Sequence, residues 1–186
     1  MKVAVVFYHL DATGGGVHTF ARDVFDAVRR LEGEAGHEFV YYSAGGGPAS
    51  PGVRSIPAKT PTRWQGRVVS GLRGAHDRAG ARRLPFRTWF ERSLDEEGVD
   101  LVWFAANHAE DCNRPYILTV FDVEHALQPW FPEVSRDGEW ERRQHHFARF
   151  IPPATRVIVP NAVGRDQIVH LYNAEQDVDT ILAGIT

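Results

Sequence analysis

The chain has 186 residues, 43% of them hydrophobic and 24% charged, with a formal charge of −3. At that length about 70% of the unfolded surface can be buried, so a core of its own is feasible and wholesale disorder is excluded. The near-neutral balance speaks against a general polyanion binder. The single cysteine, Cys112, excludes a disulfide framework, a cysteine-rich zinc site and a CxxC redox pair, and points to a reducing compartment.

In chain order, Val3–Phe7 is a continuous apolar run, the pattern of a strand covered on both faces. A short signal peptide is the competing reading, but His9, Asp11 and Gly14-Gly15-Gly16 interrupt the run and no small-residue cleavage site follows. Val17, Phe20, Ala21, Val24, Phe25, Val28 and Leu31 then recur at helical spacing. A second strand is expected over His37–Tyr42, and a Gly/Pro/Ser-rich loop over 43–61. Further strands are expected at Leu101–Phe104, Tyr116–Phe121, Arg156–Val159 and Val178–Leu182, with helices around 138–150 and 161–172. This alternation predicts one α/β domain over 1–186, a Rossmann-like, doubly wound and mainly parallel sheet. No apolar run nears the roughly 18 residues that span a bilayer, so the expected location is cytoplasmic, or peripheral to the inner membrane face.

One window departs from the average. Between Lys59 and Arg92 stand nine basic residues against Asp77 and Glu91. Trp64, Val68, Leu72, Ala75 and Ala79 form one apolar helical stripe, and Arg63, Arg67, Arg78 and Arg82 lie off it. Two readings stay open: a core-packed helix with a solvated basic face, or an interfacial helix drawn to anionic lipid. No recognition motif accompanies the patch, so nucleic acid is not an expected partner.

Gly14-Gly15-Gly16 follows the first strand and precedes a helix, where free N–H groups and the helix dipole favour anions. The string is neither GxGxxG nor a Walker A loop, which disfavours dinucleotide oxidoreductases and P-loop NTPases. A plain turn and a phosphate cradle both remain open. Asp122-Val123-Glu124 with His125 follows an apolar strand. It reads as a turn cap, as an active-site group at the carboxyl end of a parallel strand, or, least, as a metal site. Asn107-His108 ends another strand and reads as a ligand-facing or a solvated loop. His145-His146 point about 100° apart on a helix and read as surface residues. Cys112 lacks partners for catalysis.

Several stretches carry a resemblance: Pro115-Tyr116-Ile117-Leu118-Thr119-Val120-Phe121-Asp122-Val123-Glu124-His125, then Gln128-Pro129-Trp130-Phe131-Pro132-Glu133-Val134-Ser135, Gly138-Glu139-Trp140-Glu141-Arg142-Arg143 and Ala154-Thr155-Arg156-Val157-Ile158-Val159. Together they resemble the N-terminal domain of a family 4 glycosyltransferase of the mannosyltransferase-like branch. Many members have histidine directly before the aspartate, where this chain has Phe121, so no histidine role carries over to that position. The resemblance implies the N-terminal half of a two-domain GT-B enzyme, with the C-terminal donor-binding domain absent from this chain. It implies retaining transfer of a hexose, such as mannose, from a nucleotide sugar to a saccharide or lipid-linked acceptor, with no cofactor and no metal. Gly15 and Gly16 are then expected at the donor phosphates, His18, Asn107 and His108 on the acceptor side, and Asp122 and His125 as catalytic residues. Arg63, Trp64, Arg67, Arg82 and Arg83 are expected at an anionic membrane surface. The rival expectation is a non-catalytic sugar- or nucleotide-binding module, or a subunit completed by a partner chain.

Overall fold

The computed structural model describes residues 1–8, 15–44, 51–56, 88–174 and 178–180. The fold is α/β and Rossmann-like. The chain divides into two compact units, Met1–Val102 with Glu110–Arg114, and Trp103–Ala109 with Pro115–Thr186.

The first unit carries β1 (Lys2–Phe7), α1 (Gly15–Leu31), β2 (Glu38–Ala44), β3 (Val53–Ile56), α2 (Trp89–Glu97) and the start of β4 (Leu101–Phe104). Its strands are ordered β3-β2-β1-β4. β1 pairs with β2 in parallel, Val3 opposite Phe39, and β2 with β3, Tyr41 opposite Val53. Val3 to Phe7 are all buried, as a strand covered on both faces requires. The apolar side of α1 brings Phe25 edge-on to Phe7 at 5.7 Å and to Tyr41 at 5.1 Å.

α2 has both ends capped. Thr88 Oγ1 accepts from Glu91 N, and Gly98, at φ 66°, ends the helix with a Schellman pair of bonds, Gly98 N to Asp95 O and Val99 N to Leu94 O. Its inner face buries Phe90, edge-on to Tyr42 at 5.5 Å, and Ser93, bonded to the Tyr42 hydroxyl at 2.9 Å. Glu91 is 2% exposed. Its carboxylate accepts from Asn113 N at 2.8 Å and faces Arg114, which also donates to Val99 O and pairs with Asp95.

The second unit carries the end of β4, then β5 (Tyr116–Thr119), α3 (Glu124–Leu127), α4 (Pro132–Ser135), α5 (Glu139–Phe150), β6 (Arg156–Val159), α6 (Ala162–Tyr172) and β7 (Val178–Thr180). Its strands are ordered β4-β5-β6-β7, and the registers of β5 with β6 and β6 with β7 are parallel. Trp103 Nε1 donates to Thr119 Oγ1 at 3.0 Å, and the Tyr116 hydroxyl to Phe150 O at 2.7 Å. Asn161 caps α6 through Gly164 N, and Asn173, left-handed at φ 52°, ends it.

Two expectations need correction. Residues 43–61 are not one loop: β2 continues to Ala44, and Val53–Ile56 forms β3. The strand expected to reach Phe121 ends at Thr119. The short helices α3 and α4 were not expected. Within the basic window, Thr88 caps a helix whose Phe90 and Glu91 are buried. Arg63, Trp64, Arg67, Arg82 and Arg83 lie outside the described residues.

Candidate functional site

Within the second unit the chain leaves β5 through Val120, whose N–H bonds Ile158 O at 2.8 Å. The next N–H, that of Phe121, donates to Asn107 Oδ1 at 2.5 Å. Asn107 thereby ties the loop after β4 to the loop after β5, so its carbonyl oxygen is engaged in holding backbone. Position 121 enters this contact through its main-chain N–H, which any residue but proline can supply.

Asp122 emerges exposed at the carboxyl end of β5. Its Oδ1 accepts from Glu124 N at 3.1 Å, the local turn bond that aspartate makes two residues ahead of itself. The capping role weighed from sequence is therefore real. A carboxylate has about four acceptor positions, so this bond leaves capacity for a hydroxyl donor. Phe121 and Asp122 line a shallow crease together with Gly164 and Gln167 of α6.

His125 lies elsewhere. It is 1% exposed, its ring is tilted over Phe147 at 5.2 Å, and Nε2 sits 3.2 Å from both Gln144 Oε1 and the Tyr172 hydroxyl. The Tyr172 hydroxyl also donates to Gln144 Oε1 at 3.2 Å. The single phenol proton cannot serve both neighbours at once, so all three groups are satisfied when Nε2 carries a proton of its own. Burial holds the imidazole below its ordinary pKa, opposed by the Gln144 bond. Burial likewise pushes the Tyr172 phenol up to about 12. His125 is a buried pin joining α3, α5 and α6.

His108 stacks on His146, ring centres 5.5 Å apart and planes within 9°, and His146 also packs on Phe150 at 4.8 Å. Of the two adjacent histidines expected at the surface, only His145 is exposed; His146 is half-buried. In the first unit, Gly15 and Gly16 are the first two residues of α1, and the half-buried His18 follows in its first turn. Cys112 donates weakly to Arg114 O, and burial pushes its thiol up to about 12. Among the described residues no group of three or more His, Cys, Asp and Glu can hold a metal ion, and no helix is long and apolar enough to cross a membrane.

Gln144 and Tyr172 were missed from sequence. They reach His125 across 19 and 47 residues, and no local spacing marks such a contact.

The family model described as Glycosyltransferase Family 4 matches residues 14–186. No curated protein matches the chain.

Proposed function

Since the chain belongs to Glycosyltransferase Family 4, we propose that it is the acceptor-side domain of a retaining transferase. It moves a hexose, mannose in the branch it resembles, from a nucleotide sugar to a saccharide or lipid-linked acceptor. The observation that carries this reading is the family match over residues 14–186, on a Rossmann-like α/β fold. The place of Asp122 supports it: an exposed carboxylate at the carboxyl end of a parallel strand, where doubly wound sheets bind ligands.

In this scheme Asp122 accepts a hydrogen bond from the attacking acceptor hydroxyl and sets its direction. The bond from the anomeric carbon to the phosphate oxygen breaks, the bond to the acceptor oxygen forms, and the nucleotide leaves with the electron pair and the hydroxyl proton. Gly15 and Gly16 open α1, whose first N–H groups have no intrahelical partners. Such N–H groups favour an anion such as a donor phosphate. A second Rossmann-like domain holds the nucleotide in the whole enzyme. His125 acts at a distance, by fixing α3 behind the Asp122 turn.

The test is transfer itself. The whole enzyme, given radiolabelled nucleotide sugars and saccharide or lipid-linked acceptors, should yield glycosylated product with the anomeric configuration kept. A folded enzyme that transfers from no nucleotide sugar overturns the proposal, and an inverted product overturns its retaining part.

A further inference from the structure

α3, α4 and α5 bury His125, Val134 and Phe147, yet this stretch also presents Trp130 to solvent. Trp130 is 68% exposed, the most exposed of the large apolar side chains among the described residues. An indole in water is costly, at about 25 cal/mol for each Å² of apolar surface that could be buried. This one is held in place. Pro129 and Pro132 bracket it in sequence, and Phe131 lies edge-on at 6.2 Å and begins the α4 turn through bonds from Val134 N and Ser135 N. A flat ring presented on a stiff support loses little entropy when something stacks on it.

The charges around it select the occupant. From Asp122 to Arg143 there are six carboxylates, at 122, 124, 133, 137, 139 and 141, against Arg136, Arg142 and Arg143. Two of those arginines are taken up by Glu139. Such a surface repels anionic headgroups and phosphodiesters, and it offers acceptors to a neutral ligand rich in hydroxyl donors. A pyranose ring has both features, an apolar face of C–H bonds and a rim of hydroxyls.

We propose that Trp130 is a stacking platform for a sugar ring of the acceptor, making the acceptor a saccharide of more than one residue. The inference rests on the transfer reading above. Four helical residues and a short extended link place Trp130 at most about 20 Å from Asp122, within the span of a short oligosaccharide.

The experiment labels the chain with 5-fluorotryptophan and follows fluorine NMR, the Trp130 line being assigned by Trp130→Phe. The probes are mannotriose and maltotriose, and separately vesicles of neutral and of anionic phospholipid. The account predicts that a trisaccharide shifts the Trp130 line and leaves the line of the half-buried Trp103 in place. In the transferring enzyme Trp130→Ala should raise the acceptor KM about tenfold with kcat kept, and Trp130→Tyr should restore most of it. A Trp130 line moved by vesicles but not by sugar makes the patch a membrane contact and overturns the proposal, as does a line moved by neither. Because the NMR arm needs no turnover, sugar binding without transfer would remove only the transfer reading. Transfer that is indifferent to Trp130→Ala would remove only the platform.

Discussion

Replacing Arg114 by methionine should be among the most damaging single changes in the first unit. Glu91 is 2% exposed and has two polar supports, the Asn113 N–H and the Arg114 guanidinium. The same guanidinium serves Val99 O at 2.9 Å and Asp95. Methionine keeps most of the packed stem and removes every donor, which leaves a buried carboxylate with one neutral hydrogen bond. Breaking a buried ion pair from one side costs about 3–5 kcal/mol. The Arg114 side chain is 26% exposed, so water can partly replace it, and about 2–3 kcal/mol is the better expectation. For a chain of this size that lowers Tm by about 5–10 °C, read by circular dichroism. Glu91→Gln keeps an oxygen for Asn113 N and should cost less. The double variant should be more stable than the sum of the two losses, because the stranded charge is gone. A Tm change below about 1 °C for Arg114→Met, or strict additivity, would refute this account of the cluster.

Two further outcomes follow from buried titratable groups. The folded-state pKa of His125 lies below that of free imidazole, so the unfolded chain binds the extra proton more readily. Stability should be complete above about pH 6.5 and decline as pH falls from there toward the lowered folded value, and His125→Gln should flatten that slope in Tm measured from pH 5 to 7. The charges acting on His125 are Arg143, Asp122 and Glu139, so the comparison belongs at constant ionic strength. Cys112, with its thiol raised to about 12 by burial, should react with a disulfide reagent far more slowly in the native chain than in denaturant, and equal rates would contradict its burial.

The strands were legible where burial left an unbroken apolar run, as at Val3–Phe7 and Leu101–Phe104, and the long helices where the period of 3.6 extended over several turns. β3 was not, because Val53-Arg54-Ser55-Ile56 has only two apolar residues and stands among glycines and prolines that read as a loop. α2 was hidden by the arginine-rich stretch before it, although Thr88 followed by Glu91 three residues on is a recognisable capping signal. At the candidate site, the exposed place of Asp122 could be read from the end of an apolar run. The burial of His125 could not, because it depends on Gln144 and Tyr172 arriving from distant helices.

The most direct measurement of the central claim is a pair of numbers for Asp122→Asn in the whole enzyme, Tm and transfer rate. The amide oxygen of asparagine can still accept from Glu124 N, and position 122 is exposed, so Tm should stay within about 1 °C. A charged hydrogen bond to the acceptor hydroxyl is worth about 1.5–3 kcal/mol, so the rate should fall roughly tenfold to a hundredfold if that bond forms in the transition state. An unchanged rate, or one that falls only as far as the folded fraction falls, would make Asp122 a turn cap and nothing more.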